Sequence, residues 1–133
     1  MEIFLGGTCN GSDWRERLKP LLTVDYFDPV VSDWNEEAQR REIEKRKTCD
    51  LIVYVITPRM TGVYTVAEAV DDSNKRPERT VFCVLPIDSD LAFDEGQMKS
   101  LRAVADMIQR NGGIVCADLA EVAAFVNQRA KGQ

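Results

Sequence analysis

Residues Asp50 to Asp72 read DLIVYVITPRMTGVYTVAEAVDD, and the reading of this stretch decides the fold. Leu51 to Ile56 is an unbroken run of six apolar residues. Such a run fits a strand buried on both faces, as in a parallel sheet covered by helices. Pro58 and Gly62 mark a loop, and helical spacing returns from about Val63 to Ser73. On that helix Val63, Val66, Ala67 and Val70 are expected to cover the sheet, while Tyr64, Glu68 and Asp72 fall at i, i+4 and i+8 as one stripe. On pattern alone this stripe is either a solvated face or the wall of a ligand crevice. In an open α/β sheet, ligands bind at the carboxyl ends of the strands. A carboxylate one or two turns into the helix after a buried strand can look into that crevice, which makes Glu68 a candidate nucleophile or general base.

The same rhythm extends in both directions. Ile3 to Leu5 is a short apolar run that ends at Gly6 and Gly7. Ser12 or Asp13 caps a helix with Trp14, Leu18, Leu21 and Leu22 on one face, and Pro20 weakens its last turn. Val24 to Phe27 reads as the second strand. Asp33 or Asn35 starts a strongly charged helix to about Lys47, read here as a solvated helix and not as a binding patch. Thr80 to Leu85 is another buried strand, and Pro86 to Asp94 reads as a loop whose aspartates, Asp88, Asp90 and Asp94, fit no metal-loop spacing. Glu95 to Arg110 is helical, Asn111-Gly112-Gly113 stops it, Ile114 to Cys116 is the last strand, and Asp118 caps a final helix.

Strand and helix thus alternate five times over residues 1–133, which predicts one α/β domain: a three-layer, doubly wound fold with a five-stranded parallel sheet in the order 2-1-3-4-5. That order sets the loops after the first and third strands across one crevice. Gly6, Gly7 and Thr8 open the first of these loops, and Gly62 lies in the second. Glycines let backbone N–H groups approach an anion there. Neither a dinucleotide-binding nor a P-loop spacing is present. Asp33 and Trp34, which follow the second strand, lie on the ligand-bearing side, where an indole can stack on a base or serve as a core lid. Asp50 opens the third strand at the opposite, amino end, a position suited to tying down the preceding turn.

Composition narrows the chemistry. The chain holds 44% hydrophobic and 29% charged residues and carries a formal charge of −5. A chain of that charge is poorly suited to a nucleic-acid polymer, though a small nucleoside or nucleotide fits one loop. There is no histidine, and the four cysteines form no C-x-x-C pair, so no zinc site and no Ser-His-Asp or Cys-His catalysis is expected. Acid–base work falls to carboxylates, Tyr, Lys, Cys or water. No signal-peptide pattern opens the sequence, and no apolar run approaches the ~20 residues needed to cross a bilayer, so a cytoplasmic protein with reduced thiols and no membrane partner is expected.

Three segments, IFLGGT (Ile3 to Thr8), YFDPVVSDWN (Tyr26 to Asn35) and CDLIVYVITPRMTGVYTVAEAV (Cys49 to Val70), together resemble the nucleoside 2-deoxyribosyltransferase-like family over roughly the first 85 residues. The resemblance implies a small flavodoxin-like, Rossmann-like α/β fold. It also implies cleavage or transfer at the N-glycosidic bond of a 2′-deoxynucleoside or its 5′-monophosphate. In that family a glutamate attacks the anomeric carbon, the base leaves, and a second base or water resolves the glycosyl ester. By position Glu68 matches the nucleophile, Asp50 matches an aspartate that opens the same strand, and Gly6 and Gly7 match the loop that contacts sugar or phosphate. The resemblance requires no metal or other cofactor, and it implies a homo-oligomer in which a neighbour's residues complete the pocket. No glycine flanks Glu68 between Val63 and Val70, and Phe4 stands where the family's transferases carry a tyrosine. Tyr64 and Arg59 are the residues placed to compensate. These departures leave a second reading, a non-catalytic nucleotide-binding or sensing module on the same fold.

Overall fold

The computed structural model describes residues 1–9 and 11–132. Strands β1 (Glu2–Gly7), β2 (Asp25–Phe27), β3 (Leu51–Ile56), β4 (Thr80–Val84), β5 (Ile87–Asp88), β6 (Leu91–Ala92) and β7 (Ile114–Cys116) alternate with helices α1 (Trp14–Leu18), α2 (Glu36–Thr48), α3 (Tyr64–Lys75), α4 (Glu95–Arg110) and α5 (Leu119–Lys131). The main sheet is parallel and runs β2-β1-β3-β4-β7. Counted along the chain, its five strands take the expected order 2-1-3-4-5, in a three-layer α/β fold of Rossmann or flavodoxin type. No helix among the described residues is long and apolar enough to cross a membrane.

All six residues of β3 are buried, because β1 and β4 flank it and helices cover both of its faces. Side chains alternate between those faces. Ile3, Leu5, Leu51, Val53, Val55, Val81 and Cys83 pack against Trp14 and Leu18 of α1 and Leu119, Val122 and Val126 of α5. Phe4, Ile52, Tyr54, Ile56 and Phe82 face the other way, toward Ala69 of α3 and Leu101 and Ile108 of α4.

Local chemistry sets the helix ends. Pro20 converts the end of α1 into a 3-10 turn, Lys19–Leu21. Asn35 caps α2 by accepting from the Ala38 N–H at 2.8 Å. Asp94 and Gln97 form a reciprocal capping box on α4, and Asp118 caps α5. Gly112 takes the left-handed conformation, φ 99°, one residue beyond the C-cap of α4.

Two expectations need correction. Pro86 to Asp94 is not a structureless loop: β5 and β6 pair as a small antiparallel hairpin, turned through Ser89 at φ 55°. The apolar side of α3 also does not cover the sheet as expected. Its buried residues are Ala69, Asp72 and Ser73. Val66 and Val70 are half-buried against the core, while Val63 and Ala67 stay exposed beside an open apolar groove that runs to α4. The cause is polar: Asp72 is drawn inward to the buried hydroxyl of Tyr54, 2.5 Å away.

Candidate functional site

The crevice is built first from backbone. Gly7 has φ +113°, and a Cβ there would sit 2.2 Å from the Val55 carbonyl oxygen, so only glycine fits between β1 and β3. Gly6 lies beneath the Tyr54 ring, which a Cβ would approach to 3.1 Å. Beyond them the loops after β1 and β3 are laced together. The Thr8 N–H donates to the Val55 carbonyl at 2.9 Å, and the Thr57 N–H donates to Thr8 Oγ1 at 3.0 Å. The Thr8 carbonyl accepts from Trp14 Nε1 at 2.8 Å and from Arg15 Nη1 at 2.7 Å. Arg15 is buried, and its Nε and Nη2 donate to the Leu5 carbonyl at 3.1 and 3.0 Å. Burial lowers the Arg15 pKa, partly offset by Cys9 and Asp28. A third tie comes from the β5–β6 hairpin, where Asp88, 2% exposed, accepts from Ser12 Oγ at 2.5 Å. Asn10 of the first loop lies outside the described residues.

Three connected hollows open at this end of the sheet. The first, about 140 Å³, lies between the two loops and the start of α3, and is lined by Gly7, Thr8, Cys9, Met60, Thr61, Gly62, Tyr64 and Thr65. The second, about 340 Å³, is lined by Cys9, Pro29, Val30, Val31, Trp34 and Glu42. The third, also about 340 Å³, is lined by Trp34, Gln39, Glu42, Ile43, Arg46, Tyr64 and Glu68. Cys9 joins the first to the second, Tyr64 the first to the third, and Trp34 and Glu42 the second to the third. A larger concavity, about 970 Å³, is the groove between α3 and α4. It is apolar, and Asp94, its one ionisable wall residue, is committed to capping α4. The ionisable side chains therefore gather in the crevice and not in this apolar groove.

Glu68 lines the third hollow. Its carboxylate meets Arg46 Nη1 at 3.0 Å, and both side chains keep about one-fifth of their surface exposed (21% and 22%). Burial pushes the Glu68 carboxyl above the usual glutamate range; Arg46 opposes this, and Glu42 and Asp72 add to it. The guanidinium of Arg46 is a hub. Its Nη2 lies 3.2 Å from Asp72 Oδ2, and its Nε lies 3.0 Å from Tyr54 Oη. Tyr54 Oη donates to Asp72 Oδ2, and Arg76 Nη2 holds Asp72 Oδ1 at 2.6 Å. Burial would lower the Arg46 pKa, but Tyr54, Asp72 and Glu68 more than offset it and keep the group a cation. Burial, then the Asp72 carboxylate, raises the Tyr54 pKa and keeps its hydroxyl a donor.

Glu68, Tyr64 and Trp34 therefore share one hollow, and Gly7, Thr8, Gly62 and Tyr64 share the adjoining one. Trp34 and Tyr64 are 57% and 75% exposed, open for a ligand to cover. Asp33 is exposed beside Trp34 but lines none of the hollows. Asp50 is not brought to the crevice: it accepts from the Glu2 N–H at 2.8 Å, at the amino end of the sheet. The stripe Tyr64-Glu68-Asp72 faces α2, which supplies Glu42 and Arg46. Sequence reading passed over both, together with Tyr54. The only signal for the α2 pair was their i,i+4 spacing.

No curated protein matches the chain. Residues 1–86 match the model of the family described as nucleoside 2-deoxyribosyltransferase like. The match runs from β1 through β4 and so takes in both crevice loops, α2 and Glu68. On that match, spanning well over half of its length, the chain belongs to the nucleoside 2-deoxyribosyltransferase-like family.

Proposed function

We propose that the protein cleaves or transfers the N-glycosidic bond of a (deoxy)nucleoside or nucleoside 5′-monophosphate, with Glu68 as nucleophile. Family membership supports a glycosyl-transfer role in general. The observation that carries the finer reading is the setting of Glu68, a half-buried carboxylate in a hollow shared with Trp34 and Tyr64 at the carboxyl ends of β1 and β3. In this reading the base lies in the hollow lined by Pro29, Val30, Val31 and Trp34, and the sugar lies against Tyr64 and Glu68. A Glu68 oxygen bonds to the anomeric carbon as the C1′–N bond breaks, its electron pair leaving with the base. Water or a second base then attacks the same carbon and frees the carboxylate. Arg46, already 3.0 Å away, orients the carboxylate and holds it ionised between steps.

The test is to supply 2′-deoxynucleosides and their 5′-monophosphates, with and without free base, and follow base release and exchange. Glu68→Gln should lower turnover by about 10³-fold or more, the scale set by losing a nucleophile. Comparable turnover by that variant would remove Glu68 from the mechanism. One observation favours the binding-module reading: the Glu68 carboxylate is already occupied by a guanidinium. Tight nucleotide binding with no cleavage across the panel would support that module over the enzyme.

A further inference from the structure

Asp72 closes the Tyr64-Glu68-Asp72 stripe and is sealed from water, at 0% exposure, so no ligand reaches it. A carboxylate in that position must be paired, and it is held from three sides. Tyr54 Oη of β3 donates to Oδ2 at 2.5 Å, Arg46 Nη2 of α2 lies 3.2 Å from the same oxygen, and Arg76 Nη2 of its own helix lies 2.6 Å from Oδ1. The other prong of the Arg46 fork, Nη1, meets Glu68 at 3.0 Å. One guanidinium thus spans two carboxylates, one sealed inside and one facing the crevice. Taking one partner from such a pair leaves the other charge uncompensated. Ester formation at Glu68 does this to Arg46, because the carboxylate becomes neutral.

We propose that Asp72 is a positioning residue that keeps Arg46 paired and in place while Glu68 carries the glycosyl group. The proposal rests on the glycosyl-transfer reading above and gives that same site an internal counter-ion. In the first half a Glu68 oxygen bonds to C1′, and the base leaves with the C1′–N electron pair and takes a proton from solvent. Glu68 has then lost its charge, and Asp72 alone matches Arg46. In the second half water or an incoming base attacks C1′ and gives a proton to solvent. The C1′–O bond returns its electron pair to Glu68, which meets a guanidinium that has not moved. The groups facing the two carboxylates fit this role. Burial raises the Glu68 pKa, Arg46 of α2 opposes it, and Glu42 of α2 and Asp72 of α3 add to it. Tyr54 of β3 stays a neutral donor, and Arg76 of α3 holds the far oxygen of Asp72. A negative charge behind Arg46 therefore makes the Glu68 charge easier to give up, to a proton or to C1′ alike.

The experiment titrates Glu68 itself, by NMR of isotope-labelled glutamate carboxyls assigned with Glu68→Gln. Beside it, kcat/KM for base release from 2′-deoxynucleosides and their 5′-monophosphates is followed across pH. Asp72→Asn keeps the shape and removes the charge. It should lower the Glu68 midpoint by about 1 pH unit or more, the scale of one neighbouring charge. The acid limb of kcat/KM should move down with it, and the plateau above that limb should fall by about tenfold, the equivalent of one such unit. Tyr54→Phe, which keeps the Asp72 charge, should move the midpoint far less. Arg46→Lys keeps a cation but loses the fork that spans both carboxylates, so it too should lower the plateau, and it serves as the test if Asp72→Asn does not fold. A purely structural role would lower activity and leave midpoint and limb unmoved. That result, an equal shift in Tyr54→Phe, or an unchanged plateau in Arg46→Lys would overturn the role of Asp72 and leave the proposed function standing. A wild-type protein that releases no base would overturn the two together.

Discussion

At the scale of single residues, burial decides what a carboxylate can do. The half-buried Glu42 and Glu68 have pKa values raised by desolvation, whereas Asp88, more deeply buried, goes the other way. Burial pushes Asp88 up, but the hydroxyls of Ser12 and Thr57 and the cations Arg59 and Arg17 more than offset it, so its pKa lies below the usual aspartate value. A carboxylate depressed in the folded state contributes stability that is full above its unfolded pKa and is lost as pH falls through the folded one. Asp88→Asn should therefore cost about 1–3 kcal/mol at neutral pH, the range for a buried hydrogen-bonded group. The gap to the wild type should close in strong acid, below the unfolded aspartate value of about 4. Urea unfolding across that pH range would check it, and a gap that persisted at the acid end would show that Asp88 acts by packing and not by charge. Asp88 also shows what a sequence conceals. Two-residue strands carry no period, so nothing in Pro86 to Asp94 marks the hairpin that aims this carboxylate at Ser12. Tyr54 is hidden for a different reason: its ring belongs to the apolar run, and only its hydroxyl does polar work.

At the scale of elements, α2 is the wall that the sequence does not reveal. A helix polar on every side looks the same whether it faces water or a polar crevice, so Glu42 and Arg46 read as solvated. α3 was easier to place, since the run around Glu68 and the strand before it fixed which end of the sheet it follows. What holds α2 is charge. Arg46 reaches Tyr54, Glu68 and Asp72, Lys45 meets Glu2 at 2.9 Å, and Arg79 donates to the Lys47 and Cys49 carbonyls. Arg46→Met should cost about 3 kcal/mol, as expected when one partner of a buried ion pair is removed, and it should push the Glu68 pKa up further. Denaturant unfolding with amide exchange over residues 36–48 would check this. Unchanged stability would mean that Arg76 suffices for Asp72.

At the scale of the whole molecule, the parallel sheet was legible because its strands are apolar runs separated by helical spacing, and the switch point between β1 and β3 followed from the order alone. The same burial partitions the thiols. Cys49, Cys83 and Cys116 are buried, with pKa values pushed by desolvation to about 12, about 12 and about 11, while Cys9 is exposed. A thiol-reactive dye at neutral pH should label one cysteine in the native protein and four after unfolding, and a nucleotide in the crevice should slow the first. Rapid labelling of more than one thiol in the native state would contradict this packing. The absence of any buried residue in α2 has a thermodynamic consequence. The side chains of this helix itself expose little apolar surface on opening, so their own share of the heat-capacity change and of the m-value is small. The crevice wall thus adds little to the urea response, and ionic strength, which screens its partly exposed ion pairs, is the variable that loosens it while the sheet behind stays closed.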